Sequence, residues 1–204
     1  IFDSTGQPIA PSPPEDYLYQ SLGKRSFFYC DGYVEIDVPE GVVTIRASKG
    51  PEYDFVTFQV GIYVDVFYVL TMRHRIDMQS RGWFSGDTHT HMTHPPVNYT
   101  LIPEDMARVM EAEDLNFMNS MDHEIHFTGA PHPLSTPERV LYFSREYGNP
   151  NFGHLSLLGL TEWISSNGGC PDTSWVACGR VLNSAIADEV HAQPGAMLII
   201  THPF

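Results

Sequence analysis

Residues 1 to about 80 contain apolar and polar patterns typical of β-strands, and the clearest of them repeats with the period of two of a half-buried strand. Tyr33 to Val38 alternates apolar and acidic residues, and Val42 to Arg46 continues after a Pro-Glu-Gly turn. Aromatic and β-branched residues favour further strands at Phe55 to Val60 and Tyr63 to Thr71. Several short strands separated by turn signals predict a small all-β sandwich domain over residues 1–80.

From residue 81 onward, strand-like apolar runs alternate with helical periods. Proline followed by two acidic residues predicts a helix that begins at Pro103, and a second helical period covers Val181 to Ala192. Buried strands are predicted at Leu115 to Met121, Val140 to Phe143, Leu155 to Leu160 and Ala196 to Thr201. This alternation predicts an α/β domain over residues 81–204, built of βαβ units around a parallel sheet or barrel.

The charge of the chain narrows the classes of partner. The 204 residues include 25 acidic and 11 basic side chains, a formal net charge of −14, which disfavours nucleic acid and anionic membrane surfaces. Apolar runs stay shorter than the ~18 residues of a membrane span. We therefore expect a small-molecule substrate rather than a nucleic acid or a membrane.

The cysteines and the first residue give two indications of the cellular compartment of the protein. Cys170 and Cys178 lie in a Gly/Pro-rich stretch, where they form a disulfide if the compartment is oxidising and stay reduced, with Cys30, if it is cytosolic. The chain begins at Ile1 rather than Met, so a removed signal peptide is one interpretation. On that interpretation the protein is extracellular or periplasmic.

The positions of the histidines predict a metal site. His89-x-His91 places two imidazoles on one side of an extended segment, after the Gly82 to Ser85 stretch. Glu146 and His202 each follow a predicted strand, and the carboxyl ends of parallel strands are where α/β proteins gather their ligands. Imidazole and carboxylate together suit Zn, Mn or Fe. A carboxylate such as Glu146 can also bridge two ions, an arrangement that serves hydrolysis.

Four segments resemble, in order, the motifs of the PHP superfamily (polymerase and histidinol phosphatase). They are Asp87-Thr88-His89-Thr90-His91, Met121-Asp122-His123, Phe152-Gly153-His154-Leu155 with Glu146 before it, and Thr201-His202-Pro203. The surrounding residues, such as Gly82 to Asp87, are similar to the branch that includes the carbaryl hydrolases. Members of that branch often carry an Ig-like or carboxypeptidase-regulatory-like β-domain in front.

The resemblance implies a distorted (β/α)7 barrel holding two or three divalent ions, with Zn in first place and Mn or Fe as alternatives. It assigns His89 and His91 to the first ion, Glu146 as the bridge, His154 and His202 to the second ion, and His123 with His94 to a third. The family's final Asp-x-His motif is absent. We therefore expect a truncated barrel, completed by the rest of the polypeptide or by a second copy in a homo-oligomer.

These features predict a hydrolase that uses a metal-bound hydroxide on an ester, amide, carbamate or phosphoester, with Glu146, His89 and His91 as its catalytic residues. The alternative is a secreted binding or assembly protein that retains an incomplete, non-catalytic PHP-like scaffold. We also expect the first domain to hold no metal ligand, which leaves His74 as an exposed strand residue.

Overall fold

Small β-sheets account for most of the regular structure of this chain. The computed structural model describes residues 1–22, 25–92, 101–121, 128–149, 153–164 and 182–201. These residues contain ten β-strands, arranged in four sheets, and two α-helices. They fall into two compact units: residues 1–85 and 101–116 form the first, and residues 86–92 and 117–201 form the second.

The first unit contains two separate antiparallel hairpins and one helix. Strands β1 (Gln20–Leu22) and β2 (Arg25–Phe27) form the smaller hairpin. Strands β3 (Gly41–Ala47) and β4 (Val56–Ile62) form the larger one, paired over their whole length. Helix α1 (Pro103–Ala112) begins with proline, and the Asp105 carboxylate accepts a hydrogen bond from the backbone N–H of Ile102.

The predicted β-sandwich is wrong for the residues described, because two of its four strands do not pair. Val34 to Val38 keeps the predicted alternation of half-buried apolar and exposed acidic side chains, yet it joins no sheet. Tyr63 to Thr71 forms no strand and its apolar side chains are exposed, with Phe67 78% exposed. A run of β-forming residues becomes a sheet strand only when a neighbour satisfies its backbone.

The second unit contains two three-stranded sheets. Strands β5 (Gly86–Thr90), β6 (Phe117–Ser120) and β7 (Val140–Phe143) are parallel, in the order β5-β6-β7. Strands β8 (Arg145–Asn149), β9 (Gly153–Leu158) and β10 (Met197–Thr201) are antiparallel, with β9 in the middle. Helix α2 (Asn183–His191) lies between β9 and β10 in sequence.

The predicted partial (β/α)7 barrel is also wrong. Ser144 alone separates β7 from β8, and residues 150–152 separate β8 from β9. A connection between parallel strands needs a dozen or more residues, so neither link has room for a βαβ crossover, and β8 and β9 pair antiparallel. Such a barrel would also need a helix after most strands, whereas the described residues hold two helices and no closed barrel. Neither helix is long and apolar enough to cross a membrane.

Candidate metal centre

The antiparallel sheet of the second unit has one apolar face. Tyr147 of β8 and Leu155 and Leu157 of β9 are almost fully buried, and they pack in one cluster with Ile186 and Val190 of helix α2. Burial of an apolar side chain of this size stabilises the fold by about 1.5–3 kcal/mol. The helix therefore fixes which way the sheet faces, and the alternate residues of each strand point to the other side.

That other face carries a set of polar side chains. Glu146 of β8 pairs directly with Ser156 of β9, and His154 of β9 pairs with Thr201 of β10. Paired residues project to the same side of a sheet, and His154 and Ser156 are two positions apart on one strand. All four side chains consequently project from the face opposite the apolar cluster.

Strand β5 supplies His89 to the same place, and His91 follows directly after the end of this strand. The sheet register advances three residues from Asp87 to Thr90 but only two from Met118 to Ser120, so β5 carries a bulge of one residue around His89. Bulges re-aim side chains and are frequent beside functional sites. The Asp87 carboxylate accepts a hydrogen bond of 2.9 Å from the backbone N–H of His89 and holds the bulge locally.

Three ligand atoms converge where these elements meet. His89 Nε2 lies 3.0 Å from His91 Nε2, and Glu146 Oε2 lies 3.5 Å from the first nitrogen and 3.4 Å from the second. The three side chains are 20%, 20% and 18% exposed, so the group is mostly enclosed but still open to solvent. Among the described residues this is the group of His, Cys, Asp and Glu side chains that could hold a metal ion.

The spacing of the three atoms fits a single divalent transition-metal ion. An ion with bonds of about 2.0–2.1 Å in tetrahedral geometry separates its ligand atoms by about 3.3 Å. The three measured separations average about that value. Two imidazole nitrogens and one carboxylate oxygen also form a donor set found at catalytic zinc, where the remaining position is left for water or substrate. The residues present therefore fit the predicted metal.

Hydroxyl groups lie on the other side of the first histidine. His89 Nδ1 is 2.6 Å from Ser156 Oγ, and Ser156 Oγ is 2.7 Å from Thr201 Oγ1. Ser156 is 1% exposed. We did not predict either hydroxyl residue from the sequence. The signal was present, because a serine two positions after His154 interrupts a strand that is otherwise apolar.

The two oxygens of Glu146 have different partners. Oε2 faces His89 and His91, whereas Oε1 accepts a hydrogen bond of 2.6 Å from His154 Nδ1. Burial raises the pKa of this carboxyl, but hydrogen bonds from His91 and His154 and the electrostatic attraction of the His89 and His154 side chains outweigh it and bring the pKa to about 2. The carboxylate is therefore ionised and oriented near neutral pH.

The structure brings together four of the seven predicted metal ligands: His89, His91, Glu146 and His154. The other three, His94, His123 and His202, lie outside the described residues. One detail of the prediction is wrong, because the strand that presents His89 is β5 itself rather than the preceding Gly82 to Ser85 stretch. Glu146 follows β7, as the sequence predicts, and lies within β8.

His74 belongs to the first unit and takes part in a different contact. Its Nε2 lies 3.1 Å from Glu52 Oε2, and its ring stacks on Tyr53 with the ring centroids 4.6 Å apart. Cys170 and Cys178 lie outside the described residues, and Cys30 is a free cysteine.

Comparison with known proteins gives no match: no family model, no curated protein and no solved structure is significantly similar to this chain. The resemblance to the PHP superfamily therefore stays a prediction made from four short motifs, and the barrel that it implied is wrong.

Proposed function

We propose that this chain binds one divalent transition-metal ion through His89 Nε2, His91 Nε2 and Glu146 Oε2, and that the centre serves hydrolysis. The observation that carries the proposal is the triangle of these three atoms, with edges of 3.0, 3.4 and 3.5 Å, because that spacing matches the coordination sphere of one small cation.

The ionised state and the orientation of the Glu146 carboxylate both favour the binding of a cation. The low pKa of Glu146 keeps the carboxylate ionised, so no proton has to leave that group when a cation arrives. The hydrogen bond from His154 to Oε1 orients the carboxylate so that Oε2 points at the two histidines. Zinc is the first expectation for this donor set, with manganese or iron as alternatives.

A bound ion would supply two kinds of chemistry, a lowered pKa for water and polarisation of a substrate carbonyl or phosphoryl oxygen. The enclosure of His89, His91 and Glu146, each about four-fifths buried, limits competing water. Esters, amides, carbamates and phosphoesters remain the substrate classes proposed, because the same centre can act on each. The net charge of −14 disfavours nucleic acid among the phosphoesters.

The number of ions is a separate part of the proposal. The described residues support one ion on Oε2 of Glu146, while Oε1 is directed at His154. A second ion on Oε1 and His154, with Glu146 as a bridge, would match the sequence prediction of two or more ions. Elemental analysis of the purified chain after equilibration with Zn²⁺ or Mn²⁺ distinguishes one ion per chain from two.

Metal loading and hydrolysis should be lost together when a ligand is removed. We expect His91→Ala and Glu146→Ala to lose the metal and to hydrolyse aryl ester, aryl carbamate and aryl phosphate probes no faster than buffer containing the same metal. His74→Ala is the matched control, because that histidine contacts Glu52 and Tyr53 in the first unit. It should keep both properties.

Three outcomes separate the alternatives. A wild-type chain that binds no transition metal would refute the proposed function. A chain that binds the metal at these residues but turns over none of the probe classes would favour the binding or assembly protein with a non-catalytic centre. Unchanged hydrolysis by a purified Glu146→Ala variant would place the chemistry elsewhere.

A further inference from the structure

The contacts of His89 extend away from the proposed metal position as well as towards it. Its Nε2 faces His91 and Glu146, and its Nδ1 lies 2.6 Å from Ser156 Oγ. The serine oxygen lies in turn 2.7 Å from Thr201 Oγ1. A line of three polar groups therefore crosses from β5 through β9 to β10.

The strand register of β9 and β10 places the hydroxyl groups of this line next to each other. Ser156 pairs directly with Ile199 of β10, so Thr201 is its diagonal neighbour on the same face of the sheet. Ser156 is almost completely buried, and a buried hydroxyl is costly unless it is hydrogen-bonded. The two contacts use the two capacities of a hydroxyl, since its oxygen can accept one hydrogen bond while its proton is donated to another group.

The direction of these hydrogen bonds determines whether His89 can bind a cation. A neutral imidazole carries its proton on one ring nitrogen and a lone pair on the other. When Nδ1–H donates to Ser156 and Ser156 donates to Thr201, the lone pair lies on Nε2 and points at the position between His91 and Glu146. In the reverse direction the proton would lie on Nε2 and block that position.

We propose that Ser156, supported by Thr201, is a positioning residue that selects the Nδ1–H tautomer of His89 and so presents Nε2 as a metal ligand. This inference deepens the proposed function and rests on it for its consequence, the affinity for metal. The tautomer itself is a property of the metal-free chain. Histidines that bind metals commonly donate their other ring N–H to a fixed acceptor, and loss of that acceptor costs about 10–100-fold in metal affinity.

The first measurement uses the metal-free protein. Long-range ¹H–¹⁵N spectra of histidine-labelled chain, assigned with His89→Gln, report which ring nitrogen of His89 is protonated. We expect the Nδ1–H form in wild-type protein and a mixture of both tautomers in Ser156→Ala. Predominant Nε2–H in wild-type protein at neutral pH would overturn the inference without any reference to metal binding.

The second measurement is affinity for Zn²⁺, determined by competition with a chromophoric chelator. Ser156→Ala should bind Zn²⁺ about 10–100-fold more weakly than wild type. Thr201→Val, which keeps the volume and removes the hydroxyl, should cause a smaller loss in the same direction. Ser156→Thr restores a hydroxyl and should recover most of the affinity, which a purely steric role of Ser156 does not predict.

The outcomes for the two proposals are distinguishable. If wild type binds Zn²⁺ and Ser156→Ala, folded by circular dichroism, binds it within about twofold of wild type, the inference fails and the proposed function stands. If wild type binds no transition metal, the proposed function fails, and the role of Ser156 as a determinant of metal affinity fails with it. Should Ser156→Ala not fold, Thr201→Val and the wild-type tautomer decide the inference.

Discussion

At the scale of single residues, Glu146 contacts three histidines of the site. It contacts His89 and His91 through Oε2 and His154 through Oε1. Its partners stabilise the ionised form against the cost of burial, which is why its pKa is low. The same contacts tie its charge to the stability of the fold.

Replacement of Glu146 by Gln should therefore remove a pH-dependent part of the stability. The pKa of Glu146 is about 2 in the folded chain and 4.5 as the ordinary value. A lowered pKa stabilises the folded state above about pH 4.5, and that contribution is lost as the pH falls towards 2. In metal-free protein, the advantage of wild type over Glu146→Gln in the free energy of unfolding should shrink by about 2 kcal/mol between pH 5 and pH 3. Urea denaturation at several pH values measures it, and a difference independent of pH would contradict the assignment.

Gly50 is a second residue whose identity is required by its backbone conformation and by the space around it. It has a φ of +61°, and a Cβ built on it would lie 2.1 Å from the backbone oxygen of Glu113. Gly82 is a matched control, because its φ is +80° but a Cβ there meets nothing within 4 Å. Gly50→Ala should lower the free energy of unfolding by more than the ~1–3 kcal/mol of a strained backbone, and Gly82→Ala by no more than that. Equal losses in chemical denaturation would show that the contact with Glu113 is unimportant.

The sequence predicted the ligand residues better than their supports. His89 and His91 could be paired because strand side chains repeat every two residues, and Glu146 and His154 because they belong to the motifs that resemble the PHP family. Ser156 and Thr201 were missed, because their role depends on which strands become neighbours. A hydroxyl in an apolar run does not reveal its partner, which comes from another strand.

At the scale of elements, apolar patterns located most strands but did not give their directions. Val140–Phe143 and the strand ending at Thr201 lie where the sequence predicts them. The pattern of a buried run reports burial on both faces, which parallel and sandwiched antiparallel strands share. The antiparallel pairing of β8 and β9 instead follows from the three residues between them, and the sequence does not show how short this link is until the strand ends are known.

The apolar face of β9 should contribute most to the stability of the second unit. Leu157 is fully buried in the cluster that holds helix α2, whereas Ile200 on the neighbouring strand β10 is 63% exposed. Leu157→Ala should lower the free energy of unfolding by about 2–5 kcal/mol through lost burial and the cavity left behind. Ile200→Ala should cost less than about 1 kcal/mol. Denaturation followed by circular dichroism compares them, and similar losses would mean that the cluster is not the core of this unit.

At the scale of the whole molecule, the sequence was least informative about how the sheets are arranged. Charge and composition bounded the partners, but the arrangement of sheets depends on contacts between distant residues. The second unit combines a parallel sheet with an antiparallel one, and His89 from the first meets Glu146 and Ser156 from the second. Local periodicity carries no signal for such a junction, and the family resemblance implied a truncated (β/α)7 barrel in its place.

The contact between the two sheets of the second unit leads to a final prediction. Since His89 lies in β5, His91 follows it directly and Glu146 lies in β8, a bound ion would connect the two sheets of the second unit. An ion that binds only the folded state stabilises it by about 2.7 kcal/mol when its free concentration is 100 times Kd, and a protein of this size then gains about 5–10 °C in Tm. We expect Zn²⁺ to raise the Tm of wild type and of His74→Ala by this amount, and to leave His89→Ala unchanged. Calorimetry with and without Zn²⁺ provides the comparison, and an equal rise in His89→Ala would show that the stabilising ion binds elsewhere.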